Sequence, residues 1–291
     1  INTERKKGNL IVAAKQLLIE FDLKSGWLTK YNYKGQDFID EQSLFKANFW
    51  RAPNDNDFGA NTPEKLKSWK QVTDSIDLLE IKSEFVDNLA YIHATYKMPQ
   101  VYGQLEMVYC INQSGEMRIS QVFKADTSKN VAVLPRFGIQ WITPPGFDEI
   151  NYYGRGPVEN YIDRNFSSHI GFYQQTVDQQ YFPYVMPQET GNKTDVRWME
   201  LKNKHGRGLL FTADSTFSMS ALHYFDRDLD DGPKRRQRHA ADLVKRKQTQ
   251  INIDFRQMGV GGINSWGAWP LKEYTLPYKD YSFSFVIKPI E

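Results

Sequence analysis

The stretch Leu105-Glu-Met-Val-Tyr-Cys-Ile-Asn-Gln-Ser-Gly-Glu-Met-Arg-Ile-Ser-Gln-Val-Phe123 decides the fold class. In an extended chain successive side chains point to opposite faces, so Leu105, Met107, Tyr109 and Ile111 share one face and Glu106, Val108 and Cys110 the other. Asn112-Gln-Ser-Gly-Glu116 supplies turn formers before the alternation resumes at Met117, which predicts an antiparallel hairpin. Toward the N-terminus, Leu18 to Leu23 and Trp27 to Tyr33 repeat the pattern around Lys24-Ser25-Gly26, and Ile81 to Val86 and Leu89 to Lys97 continue it. Toward the C-terminus, Val131 to Ile142, Trp198 to Leu201, Leu209 to Ala213, Gln250 to Phe255 and Tyr281 to Ile287 are rich in β-branched and aromatic residues. Helix signals are few: Thr62 as N-cap with Pro63 behind it, and Leu66 and Trp69 on one face, predict one short helix. Many strands without βαβ alternation imply an all-β architecture, a large multi-sheet sandwich. No Pro-, Gly- or Ser-rich linker and no internal repeat divides the sequence, so residues 1–291 are expected to form one domain.

Composition narrows the function classes. Of 291 residues, 40% are apolar and 14% aromatic, enough for a sizeable core. The net charge of +2 gives no general attraction to a polyanion, so nucleic acid is not an expected partner. Cys110 is the sole cysteine, which excludes an internal disulfide and cysteine-based zinc or redox motifs. No apolar run approaches the roughly 20 residues of a membrane-spanning helix. A soluble protein of cytoplasm or periplasm is expected. The chain opens Ile1-Asn-Thr-Glu-Arg-Lys-Lys-Gly8, with neither an initiator Met nor a signal-type stretch, which points to a piece of something larger.

Several segments carry chemistry-bearing residues. Arg51-Ala-Pro-Asn-Asp-Asn-Asp-Phe-Gly59 packs Asn54, Asp55, Asn56 and Asp57 together, either to hold a cation or polyol or as Asx-turns, and its composition favours turns. Met258-Gly-Val-Gly-Gly-Ile-Asn-Ser-Trp-Gly-Ala-Trp-Pro270 presents Trp266 and Trp269 on a glycine-rich loop, as a sugar platform or as core filling. Its glycines do not form a dinucleotide fingerprint, since no strand-to-helix switch accompanies them. Gly154 to Arg164 gathers Arg155, Glu159, Asn160, Asp163 and Arg164 in what reads as mostly loop, with locking ion pairs favoured over sugar contacts. Gln188 to Trp198, including Glu189, reads as a structured surface loop. The acidic run Asp226 to Asp231 and the basic run Lys234 to Arg238 read as mutually paired surface. His93, His169, His205, His223 and His239 are scattered without metal-ligand spacing, and no G-x-S-x-G motif is present.

Taken together, Arg51-Ala-Pro-Asn-Asp-Asn-Asp-Phe-Gly59, Tyr153-Gly-Arg-Gly-Pro-Val-Glu-Asn-Tyr161 with Asp163-Arg164, Pro187-Gln-Glu-Thr-Gly191 and Gly259-Val-Gly-Gly-Ile-Asn-Ser-Trp266 resemble the C-terminal domain of β-galactosidases of glycoside hydrolase family 2, in order and in spacing. The resemblance implies a galactose-mutarotase-like β-supersandwich attached to further domains, among them a TIM barrel that holds both catalytic carboxylates. It implies no catalytic residue here, Asp55 and Asp57 included. Trp266 matches the tryptophan that reaches the active-site mouth, which makes it the leading substrate-binding residue, with Trp269, Ser265 and Asn264 beside it. Gly59 matches the start of a mobile loop. Ile263-Asn264 departs from the acidic residues common before Ser-Trp, which bears on the aglycone preference. The family resembles Mg- and Na-dependent enzymes whose metals sit in other domains, so no metal or cofactor is expected in this chain. The implied partners are galactose or a β-galactoside, the remaining domains or large subunit of a parent enzyme, and a further copy in a homo-oligomer. A free-standing aldose 1-epimerase and a non-catalytic carbohydrate-binding module are the alternatives.

Overall fold

The computed structural model describes residues 1–264 and 267–291. The hairpin read first is present: Gly103–Ile111 pairs antiparallel with Met117–Ala125, with Leu105 opposite Phe123 and Ile111 opposite Met117. Strand burial alternates as the sequence alternates, so one face of this pair meets the core and the other meets solvent. Asn2–Lys6, Asn9–Ala14, Leu17–Asp22, Leu28–Tyr33 and Gln36–Asp37 form a five-stranded antiparallel meander.

Every other strand among the described residues joins one larger antiparallel sheet of 12 strands, which forks at Gly208–Leu222. The first part of that strand pairs with Tyr281–Ile290, which continues through Met117–Ala125 and Gly103–Ile111 to Leu89–Met98 and Asp77–Val86. Its last five residues, Ser218 to Leu222, pair instead with Thr249–Gln257, which leads to Arg136–Thr143 and Lys46–Asn48. On its other side it meets Lys193–Asn203, then Phe147–Gly156 and the edge strand His169–Thr176. One long strand thus serves two branches, because sheets twist and a strand of 15 residues cannot stay flat against a single partner.

A continuous hydrophobic cluster runs from Leu10 to Ile287. Ring contacts carry it across the layers: Phe21 to Tyr109 at 4.9 Å, Phe45 to Trp141 at 4.8 Å and Trp141 to Phe211 at 5.6 Å. Each fully buried aromatic side chain removes about 150–250 Å² from water, a gross gain of roughly 4–6 kcal/mol before conformational entropy is subtracted.

Several expectations need correction. The strand read from Val131 begins at Arg136, since Pro135 has no N–H to give a ladder and, among the described residues, the chain before it adds one isolated β-bridge, Leu134 to Leu276. The single helix at Thr62 is two, Thr62–Lys65 and Lys67–Asp74, broken at Leu66. Thr62 is not the N-cap: Asn61 holds that position in left-handed conformation, and the Thr62 hydroxyl donates to Asp57 O at 3.0 Å. Leu66 and Trp69 are both buried, as their spacing predicts. Asn54 to Gly59, read as turns, is a one-turn helix, Asp55–Gly59, closed by a capping box between Asn54 and Asp57. Gly154 to Gly156, read as loop, ends the strand Phe147–Gly156. Gln188 to Trp198 is not a surface loop: Gln188, Glu189, Thr190, Asn192, Lys193 and Thr194 are buried, and from Lys193 onward the segment belongs to the strand Lys193–Asn203.

Candidate functional site

The glycine-rich loop after Thr249–Gln257 is fixed at its base by the Arg51 segment. Arg51, almost fully buried, donates from Nη2 to Asp57 Oδ1 at 3.1 Å and to Gly259 O at 2.9 Å, and from Nη1 to Met258 O. Asp57 is held in turn by the capping box: its Oδ2 accepts from Asn54 N at 3.1 Å, and Asn54 Oδ1 accepts from Asp57 N at 2.9 Å. Asn56 Nδ2 donates to Val260 O at 3.0 Å. From the opposite side Asp163 accepts from Val260 N at 3.0 Å and Gly261 N at 2.9 Å. A Cβ at Gly259 would lie 2.4 Å from Asp163 Oδ2, so the carboxylate can reach the backbone only because residue 259 is glycine.

The far arm of the loop returns to the Asp55–Gly59 helix. Gly267, at φ +87°, packs so tightly on Gly59 that a Cβ there would sit 2.2 Å from Gly59 O. Gly59 itself is outside the left-handed region, and a Cβ on it would stand 3.3 Å from Gly267 Cα. Its glycine is therefore explained by backbone contact with the loop. Trp269 is half-buried, packs against the main core and lies under Lys65 Nζ, 5.4 Å from the ring centroid. Asn264 Oδ1 accepts from Ala268 N at 3.4 Å. Ser265 and Trp266 lie outside the described residues. Asp55, at the helix start, exchanges hydrogen bonds with Gln188 and pairs with Arg235 at 2.6 Å.

The segments from Arg155 to Arg164 and from Gln188 to Asp195 lock together. Arg155 Nε donates to Asp195 Oδ2 at 2.5 Å. Glu159 accepts from Arg164 at 2.7 Å, Thr190 Oγ1 at 3.0 Å and Gly191 N at 2.7 Å. Asn160 Oδ1 accepts from Thr194 N at 2.9 Å and from its hydroxyl at 2.6 Å. Lys193 Nζ, buried, donates to Gly191 O at 3.2 Å, and burial lowers its pKa to about 8. The acidic and basic runs, read as mutually paired surface, share one ion pair among the described residues, Arg238 with the buried Asp231 at 2.6 Å; Asp226, Asp228 and Asp230 pair instead with Arg136, Arg246 and Lys70, and Arg235 with Asp55.

Beneath this frame lies a group that sequence reading missed. Arg136 is fully buried, with Asp254 at 3.2 Å, Asp226 at 3.4 Å and Glu189 at 3.5 Å. Burial raises the Glu189 carboxyl to about 7 and the Asp254 carboxyl to about 8, against the pull of the Arg136 charge. The three acids come from distant segments, so no local spacing announces them. They converge on one guanidinium instead of facing each other across a sugar site. Among the described residues no group of three His, Cys, Asp or Glu is placed to hold a metal, and no helix is long and apolar enough to cross a membrane.

Two cavities adjoin these elements. One, of about 430 Å³, lies between Lys46–Asn48, Arg136–Thr143 and the helices Lys67–Asp74 and Asp226–Leu229. The other, of about 230 Å³, is bordered by Asn165, Asp195, Arg256 and Tyr274. The imidazole–carboxylate pairs, His223 with Asp148 at 3.2 Å and His93 with Glu84 at 3.2 Å, line neither.

Comparison with known proteins places this geometry. The chain is similar to a β-galactosidase of Priestia megaterium, 30% identical over its whole length, and to one of Lactobacillus delbrueckii subsp. bulgaricus, 31% identical over 97% of it. It spans 27% of the length of each of these relatives. In fold it resembles galactose 1-epimerase from Lactobacillus acidophilus, with a TM-score of 0.55 at 10% identity over 98% of this chain and 96% of that one. A galactose mutarotase-like protein from Lactobacillus casei superposes with a TM-score of 0.54 at 9% identity over 97% of this chain and 100% of that one. The forked antiparallel sheet is thus the galactose-mutarotase-like supersandwich. The family model described as beta galactosidase small chain matches residues 13–287, and the chain belongs to that family.

Proposed function

We propose that this chain is the C-terminal domain of a retaining β-galactosidase, forming one rim of an active site whose catalytic carboxylates reside in another part of the polypeptide. The observation that carries the reading is coverage: relatives named β-galactosidase align with the whole of this chain, yet it spans 27% of their length. Retaining hydrolysis requires two carboxyl groups about 5 Å apart around the glycosidic bond. Here the buried acids are committed to Arg136, while the loop from Gly259 to Pro270 is anchored at both ends by Arg51, Asp163 and Gly59. A loop carrying two tryptophans on a fixed base is suited to stack on a sugar and exclude water, contributing binding more than bond cleavage. Trp266 is assigned the stacking position, with Trp269, Ser265 and Asn264 flanking it. The substrate class is a β-galactoside, and the partners are the remaining domains or large subunit and, in the assembled enzyme, further copies.

The epimerase alternative is less favoured, because an acid–base pair for ring opening must meet the sugar in a cavity, and the two imidazole–carboxylate pairs border neither cavity. The test is hydrolysis of an aryl β-galactoside. The 291-residue chain alone should give no turnover, and in the longer polypeptide Trp266→Ala should raise KM about tenfold with a smaller change in kcat. Turnover by the isolated chain at about 1 s⁻¹ or faster would overturn the reading.

A further inference from the structure

The cleft of about 430 Å³ shares no lining residue with the Gly259 to Pro270 loop or with Gly59. Its floor is a row of amides on three adjacent strands: Asn48 Nδ2 donates to Gln140 Oε1 at 3.2 Å and to Asn252 Oδ1 at 2.9 Å, and Gln250 Nε2 donates to Gln140 Oε1 at 3.3 Å. Both neighbours therefore give to the Gln140 oxygen, which leaves the Gln140 amide N–H groups with no acceptor among the described residues. Lys46 Nζ gives one of its three N–H groups to Thr73 O, at 2.8 Å. Asp226 keeps 20% of its side chain exposed at the cleft wall. The Trp50 indole also lines the cleft, pinned by a 2.9 Å hydrogen bond from its Nε1 to Asp230 Oδ2, with Lys70 Nζ 5.8 Å from the ring centroid.

Charge selects the ligand. The lining holds three acids, Asp74, Asp226 and Asp230, and three bases, Lys46, Lys70 and Arg227, so its formal charges cancel; within it Lys70 pairs with Asp230, and Asp226 pairs with the buried Arg136 behind the wall. An ionic ligand would leave one sign unmatched in a partly dehydrated space. A sugar suits it, since each hydroxyl both donates and accepts, the wall offers carboxylate and carbonyl acceptors beside amide and ammonium donors, and the volume lies in the range of small-molecule sites. We propose that this cleft is a second saccharide site, which binds a neutral pyranoside independently of the rim loop. It does not rest on the β-galactosidase reading and can stand if that reading fails.

The test is NMR titration of the 291-residue chain with methyl β-galactoside and lactose, with glucuronate and glucosamine as charged controls. Saturable binding on the order of 1 mM is expected, with amide shifts at Gln140, Asp226 and Gln250. It should persist in a Trp266→Ala/Trp269→Ala double variant, weaken about tenfold in Gln140→Leu, and be weaker for both charged sugars. Lys70→Met, on a side chain 37% exposed, serves as a second variant should Gln140→Leu fail to fold, and is expected to weaken binding likewise. Shifts confined to residues 258–270, no saturation by either neutral sugar, equal binding of the charged sugars, or unchanged affinity in a folded variant would each overturn the assignment.

Discussion

Replacing Arg51 with methionine is the sharpest way to test how the rim loop is held. Arg51 and Asp57 form an ion pair at 3.1 Å with side chains only 2% and 6% exposed, so solvent screens it little. Arg51→Met leaves the Asp57 charge buried and unmatched, for which the ordinary range is about 3–5 kcal/mol. It also strips the carbonyls of Met258 and Gly259 of a donor, each worth about 1–3 kcal/mol when buried and unsatisfied. These losses share one network and do not add, so a total of about 3–5 kcal/mol is expected. Asp57→Asn keeps the capping oxygen but removes the charge, so the double variant Arg51→Met/Asp57→Asn should recover about 1–3 kcal/mol relative to the sum of the single changes. Urea unfolding followed by circular dichroism and tryptophan fluorescence reads all four proteins in one cycle. If Arg51→Met loses less than about 1 kcal/mol, or the cycle shows no coupling, the anchoring argument is wrong.

Three further outcomes follow from the same geometry. Glu189 and Asp254 hold protons in the folded chain at pH values where the unfolded chain has released them, so stability should decline as pH rises from the ordinary carboxyl range and level off above about 7 for Glu189 and about 8 for Asp254. Glu189→Gln should flatten the slope of unfolding free energy between pH 5 and about 7, and an unchanged slope would refute the assignment. Gly267→Ala meets Gly59 O at 2.2 Å and a left-handed φ of +87°, and should cost at least about 1–2 kcal/mol in a thermal melt, with raised hydrogen exchange at the Asp55–Gly59 helix; a melt within 1 °C of the parent counts against the close contact. Trp69→Ala empties a fully buried site whose indole N–H donates to Ala132 O at 3.1 Å, and should lose about 3–5 kcal/mol in chemical unfolding, whereas a loss below 1 kcal/mol would mean that the two short helices do not close the core.

What the sequence determined by itself was local and periodic. Alternation at Leu105 to Phe123 specified both strands of a hairpin and their buried face, because a period of two leaves a register only one way to hide its apolar side. The four spaced motifs carried the family in the same way, as patterns readable along the chain. Strand Phe147–Gly156 escaped because Gly154, Gly156 and Arg155 read as loop; in the fold, Gly154 lets Val196 of the neighbouring strand approach to 2.9 Å of where a Cβ would stand. Asn54 to Asp57 read as Asx-turns because turns and helix starts use the same residue types; in the fold Asn54 and Asp57 close a capping box, and Arg51 holds Asp57 from the side. Tertiary structure alone decided that Arg136 gathers Glu189, Asp226 and Asp254, and that Lys46, Gln140 and Asp226 border one cleft. Those residues come from segments far apart in the chain, strands together with the helix that starts at Asp226 and the connection that carries Glu189, and a long-range ion pair or a cavity wall leaves no periodic trace in the segments that supply it.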